Sequence, residues 1–270
     1  MLLCVSSCRH APRTAEVRQL ADADGVAVRE VEFFSSSLDG RMRYTVLLPP
    51  VAVDERLPVL YFLHGANSGP REVMERSQIA RLAASARVAV VLPDGGFSYY
   101  TNARHGRHAR WEDAMTRDLP QDVAGRFPVF TDRGHMGIAG ISMGGYGAAR
   151  LALRHPEQYG FAGVLSGALD ITRRPLSLRR LGQSWRIIRI FGYKSEERRE
   201  GDVFVLLAGS APEPRRWFVS CGASDPLAGV NARFAGKLGI KPVITAGGHE
   251  WRSWNEALPR LLAAAGAALR

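Results

Sequence analysis

The segment Gly140-Ile141-Ser142-Met143-Gly144, set between Met136–Ile141 and Gly144–Arg154, decides the fold. Met136–Ile141 is a continuous apolar run, the pattern of a strand buried on both faces of a sheet. Gly144–Arg154 is rich in glycine and alanine and follows at once as a helix. The five residues between fit G-x-S-x-G, in which a serine stands out at a sharp strand-to-helix turn. Glycines on either side allow the tight turn and the close packing it needs. Alone, so short a pattern is weak, and a helix-capping serine is the competing reading. The strand–turn–helix context makes Ser142 a candidate nucleophile.

Outward from this point, strand-like and helix-like segments alternate. Val28–Phe34 and Met42–Leu48 flank an Asp39-Gly40 turn and read as a hairpin. Pro58–Leu63 and Val88–Leu92 read as buried strands, with Arg71–Ala86 as a helix between them. A helix over Asp113–Phe127 should end or kink at Pro120. Phe161–Leu165, Trp217–Cys221 and Pro242–Thr245 supply later strands, and Trp254–Leu269 a closing helix with a kink or restart at Pro259. The expected architecture is α/β: a mostly parallel central sheet with helices on both faces. Residues 1–27 read as an N-terminal extension and 28–270 as the domain. An insertion near 170–214 lies over the carboxyl edge of the sheet.

A serine hydroxyl needs a base within hydrogen-bond reach. Only His155 and His249 follow Ser142. His155 ends the elbow helix, facing away from the strand ends, and suits a helix cap. His249 follows the last strand, at the edge where Ser142 must also lie, and is the candidate base. Asp225, just past Trp217–Cys221, is the candidate acid. Asp170 and Asp202 are the alternatives: the first opens the insertion and the second lies within it. An oxyanion needs two fixed donors. The N–H of Met143 is one, and that of Ala66, in the glycine-rich loop after Leu63, is the other. His64 reads as a brace for that loop, and Cys221 as packing. Tyr99, Tyr100 and Trp251 are candidates for a substrate wall, against plain packing. His105 and His108 read as solvated or substrate-facing.

Taken together, Tyr61-Phe62-Leu63-His64-Gly65, Val91-Leu92-Pro93-Asp94-Gly95, Gly140–Gly147, Leu165-Ser166-Gly167-Ala168, Cys221–Asp225 and Gly248-His249-Glu250-Trp251 resemble the esterase D-like serine esterases. The likeness is strongest to the bacterial tributyrin esterases, with S-formylglutathione hydrolases and mycolyltransferases as relatives. It runs from about Val28 to Leu262. It implies an α/β-hydrolase fold, carboxylic ester hydrolysis with small acyl groups, and no cofactor. By motif position it implies a Ser142–His249–Asp225 triad with Ala66 and Met143 as oxyanion hole. An acyltransferase, or a thioesterase or feruloyl-type esterase on the same scaffold, is the alternative. A binding protein without activity would require the triad to be coincidental.

Composition narrows the remaining classes. Three cysteines and no Cys/His cluster of zinc spacing argue against a disulfide framework, metal or redox chemistry. No apolar run approaches a membrane span. The net charge of +10 invites a nucleic-acid reading, but only three of 36 basic residues are lysine, and a net +6 falls within residues 171–200. The expected partner is therefore a small-molecule ester and not a nucleic acid, with a homo-oligomer left open. The six arginines Arg173, Arg174, Arg179, Arg180, Arg186 and Arg189 would steer anionic esters if the insertion overhangs the site. Pairing with Glu196, Glu197 and Glu200 is the alternative. Localisation is cytoplasmic by default. Val5-Ser6-Ser7-Cys8 resembles the end of a lipoprotein signal, which would mean export and a start upstream of Met1.

Overall fold

The computed structural model describes residues 16–20, 22, 25–106, 109–175 and 181–270. The Val5–Cys8 reading, His108, Arg179 and Arg180 lie outside them. Nine strands form one sheet in the order β1-β2-β3-β5-β4-β6-β7-β8-β9. Strands β1 (Glu16–Gln19), β2 (Ala27–Ser35) and β3 (Gly40–Leu48) pair antiparallel, and β3 joins β5 the same way. From there β4 (Val59–Leu63), β5 (Ala89–Pro93), β6 (Met136–Ile141), β7 (Phe161–Leu165), β8 (Trp217–Gly222) and β9 (Val243–Thr245) run parallel.

Helices cover both faces. Strand β4 shows why, since every residue in it is buried. The pleat sends Leu60 and Phe62 to one side and Val59, Tyr61 and Leu63 to the other. On the first side lie α1 (Pro70–Arg76) and α2 (Ile79–Ala86), together with the last helix described below. On the second lie α3 (Trp111–Asp113), α4 (Leu119–Arg126), α5 (Met143–Arg154), α6 (Leu181–Phe191), α7 (Ser195–Arg199), α8 (Val203–Ala208) and α9 (Ala228–Lys237), most of them feeding that core. Each buried Leu, Phe or Val stabilises the fold by about 1.5–3 kcal/mol relative to exposure.

Three helices differ from the sequence expectation. The Arg71–Ala86 segment breaks at Ser77, whose hydroxyl donates to the Val73 carbonyl at 2.6 Å. Pro120 does not simply stop a helix: a π-helical turn over Ala114–Asp118 absorbs the disruption, and Pro120 falls in the first turn of α4, where no N–H is needed. The closing helix α10 (Trp251–Ala268) starts three residues early and passes through Pro259 without restarting. Pro259 faces solvent while Ala257, Leu258, Leu261, Leu262 and Ala265 are buried, so the apolar face carries the helix past the missing hydrogen bond.

In the parallel part, Ile141 pairs with Leu165, Leu165 with Ser220, and Gly222 with Thr245. The strands therefore end almost level, and the loops after β6, β7, β8 and β9 emerge at one edge. Between β7 and β8 the insertion is helical, and α8 packs on α5. No helix among the described residues is long and apolar enough to cross a membrane.

Candidate active site

Ser142 sits between β6 and α5 with φ 58° and ψ −111°. A non-glycine residue occupies this region only where its surroundings hold it there. Here the Ser142 N–H donates to Leu165 O at 2.9 Å, and the Ser142 carbonyl accepts from Ala168 N at 3.0 Å. The turn also depends on close backbone approach: a Cβ on Gly144 would lie 2.1 Å from the Leu63 carbonyl oxygen. The Ser142 side chain is thereby held out at the carboxyl edge of the sheet, at the start of a twelve-residue helix.

His249 reaches that side chain from the loop after β9. Its Nε2 lies 2.9 Å from Ser142 Oγ, and its Nδ1 lies 2.9 Å from Asp225 Oδ2. The loops carrying acid and base are tied together through Ala223 N to Thr245 O and Ser224 N to Gly247 O, both 2.9 Å. The Asp225 carboxylate is fully buried. Burial alone would raise its pKa, but hydrogen bonds from His249, the Leu227 N–H and Ser166 prevail and hold it below the usual carboxylate range. It is an ionised acceptor, which fixes the imidazole with Nδ1 protonated and Nε2 free to accept from Ser142.

Of the alternatives, Asp202 accepts the Phe204 N–H at the start of α8 and pairs with Arg173, while Asp170 pairs with Arg174 at 2.7 Å. Neither is bonded to His249. His155 caps α5 as expected and lies 3.0 Å from Glu112. His105 is bound through its backbone N–H to Arg189 O at 3.0 Å.

The loop after β4 runs beside Ser142: a Cβ on Gly65 would stand 3.6 Å from Ser142 Cβ. Its next residue is Ala66, and across the site the Met143 N–H opens α5, where the helix dipole favours negative charge. His64 spans this loop and its neighbour. Burial lowers its pKa and keeps it neutral, with Nε2 accepting from Gly95 N–H at 3.0 Å and Nδ1 donating to Gly65 O at 2.7 Å. The 3.9 Å approach of Asp94 to Nε2 is therefore not an ion pair.

The three candidate wall residues are packed elsewhere. Tyr100 is completely buried, and its hydroxyl donates to His64 O at 3.1 Å. Tyr99 is enclosed by Phe97, Tyr146 and Phe191. Rings with no exposed face cannot line a substrate wall, so both tyrosines are corrected to core. Trp251 is also buried, and its Nε1 donates to Glu72 Oε1 at 2.9 Å, joining the start of α10 to α1. That bond and one from Ser68 hold the Glu72 carboxyl below its usual range. Cys221 packs as expected, with its thiol pushed up to about 12 by burial.

Sequence reasoning read Trp254 as core and placed Ser166 only within the motif Leu165-Ser166-Gly167-Ala168, yet both adjoin the pair. The Trp254 Nε1 donates to Ser166 Oγ at 3.0 Å, and its ring meets the His249 ring edge-on at 5.2 Å. The sequence carried one signal, a serine closing the apolar strand Phe161–Leu165. A cavity of about 400 Å³ lined by Arg133, Tyr159, Glu213 and Arg216 lies at the amino ends of β7 and β8, away from Ser142.

Solved structures share this fold. The substrate-bound fluorophosphonate-binding serine hydrolase F of Staphylococcus aureus superposes with a TM-score of 0.78 at 24% identity, over 89% of this chain and 98% of that one. An S-formylglutathione hydrolase from Agrobacterium tumefaciens gives 0.78 at 21%, over 94% and 99%. A ferulic acid esterase gives 0.75 at 24%, over 91% and 98%. The architecture is that of the α/β-hydrolases. The family model described as "Putative esterase" matches residues 35–265, and the chain belongs to that esterase family, an enzyme of the hydrolase class.

Proposed function

We propose that the protein is a serine carboxylesterase that hydrolyses small or short-chain acyl esters through an acyl-enzyme. The observation carrying this reading is the position of His249, 2.9 Å from Ser142 Oγ on one side and 2.9 Å from Asp225 on the other. His249 takes the Ser142 proton as Oγ attacks the ester carbonyl, while Asp225 holds the tautomer and stabilises the imidazolium. The N–H groups of Ala66 and Met143 receive the developing oxyanion. His249 then returns the proton to the departing alcohol, and water repeats the sequence on the acyl-enzyme.

The S-formylglutathione hydrolase and the ferulic acid esterase among the fold neighbours make a thioester and a feruloyl ester the substrates to set beside simple esters. The test is a panel of p-nitrophenyl esters of increasing chain length, with a thioester and a feruloyl ester included. Activity falling with acyl length is the expected result. Absence of turnover, or failure of a fluorophosphonate to label Ser142, would overturn the reading.

A further inference from the structure

Ser166 and Trp254 take no part in the proton transfers above, yet they are built against the acid and the base. Ser166 follows β7, is completely buried, and has φ 49°. Its N–H is bound to Ser220 O at 2.8 Å, which anchors the turn. Its Oγ accepts the indole N–H of Trp254 at 3.0 Å and faces the Cys221 thiol at 3.6 Å. A serine hydroxyl has two acceptor positions and one proton, and an indole N–H only donates. With those two donors on the oxygen, the proton is left for the Asp225 carboxylate, whose pKa the Ser166 hydroxyl helps to lower. The same tryptophan presents its ring edge-on to His249, at 89°.

We propose that Ser166 and Trp254 are positioning residues: the Trp254 N–H turns the Ser166 hydroxyl so that it donates to Asp225, while the indole ring backs the His249 imidazole. This rests on the triad reading. The carboxylate, held by His249 at Oδ2 and by the Leu227 N–H at Oδ1, thereby gains a side-chain donor, and one residue of α10 serves both members of the pair.

The experiment compares Ser166→Ala, Trp254→Phe and the double variant, with Asp225→Asn as reference, by kcat and KM on one activated ester. A hydrogen bond to a charged group corresponds to roughly ten- to a hundredfold in rate. Ser166→Ala should lower kcat by about that factor with KM nearly unchanged, a split that general loosening of the fold would not give. Trp254→Phe keeps a ring beside His249 and loses the N–H, for a loss of roughly two- to tenfold. Because the indole N–H acts through the hydroxyl, adding Trp254→Phe to Ser166→Ala should cost little more, whereas independent roles would multiply. Ser166→Gly suits the positive φ and should match Ser166→Ala, separating loss of the hydroxyl from strain in the turn. If both Ser166 variants keep wild-type kcat while Asp225→Asn is inactive, this inference fails and the triad stands. If Asp225→Asn remains active, the triad reading fails first.

Discussion

Helix α5 has a histidine–carboxylate pair at each end. At its start His249 lies 2.9 Å from Asp225, and at its end His155 lies 3.0 Å from Glu112. The pair distances do not distinguish them, and both acids are buried. The difference lies at the second nitrogen and in the surrounding charge. His249 turns Nε2 to a hydroxyl that has a proton to give. His155 turns its other nitrogen towards Glu157 at 3.5 Å, a second carboxylate. Glu112 is shared further with Arg150 at 2.8 Å and Arg154 at 2.7 Å. Burial raises the Glu112 pKa, but His155 and the two guanidiniums overcome it and bring it down to about 2. One pair is open to proton transfer; the other is a closed cluster of charges that clamps α3 to α5.

The strongest way to break this comparison is at the open pair. Ser142→Ala and His249→Gln should each lower kcat on the order of 10⁶-fold, whereas His155→Gln should leave turnover intact. More than a few per cent of wild-type activity in Ser142→Ala would remove it as nucleophile. Asp225→Asn should cost about 10⁴-fold by favouring the wrong imidazole tautomer, and Asp170→Asn should not lower kcat. At the closed pair the loss is in stability. Glu112→Gln strands the buried Arg150 and should cost about 3–5 kcal/mol in denaturant unfolding, with kcat retained well below Tm.

Acid titration sharpens the same contrast. Glu112 titrates near 4.5 when unfolded and at about 2 when folded. Its stabilisation is therefore complete above the ordinary carboxylate range and lost as pH falls towards 2, so wild type should lose stability over that window and Glu112→Gln should lose less. The smallest expected effect concerns the insertion. Arg173 and Arg174 are engaged with Asp202 and Asp170, and Glu197 and Glu200 are met by Arg104 from the loop after β5. Arg186 lies over the Phe97 ring at 4.9 Å, with no acidic partner among the described residues. If it steers substrate, salt should depress kcat/KM for an anionic ester and not for a neutral one of equal length, and Arg186→Glu should abolish the difference. Equal salt responses would reduce the segment to a structural cover.

Much of the fold was legible because its signals are local. The Asp39-Gly40 turn, the apolar runs of β4 to β7 and the glycines around Ser142 each act within a few residues. Strand β1 was not legible: all four of its residues are exposed, so Glu16–Gln19 shows no alternation and depends only on pairing with β2. The course of α10 through Pro259 depends on which face of the helix is buried. At the site, chain order and loop position singled out Ser142, Asp225 and His249, which the fold brings within hydrogen-bond distance. Ser166 and Trp254 were missed because their partners lie 59 and 88 positions away along the chain, where no local pattern points. Tyr99 and Tyr100 misled because an aromatic loop near a site reads alike whether its rings face solvent or core.

The close approach of α5 to β4 also limits how this enzyme can diversify. At Gly140 and Gly144 any added side-chain carbon would collide with backbone at 2.5 Å or less, and backbone cannot step aside as a side chain can. Random mutagenesis would find these codons closed, and recombination with a relative would succeed only if β4 and the elbow are inherited as one block. New specificities would have to arise in the loops and in the helical insertion, where sequence can drift without moving the serine.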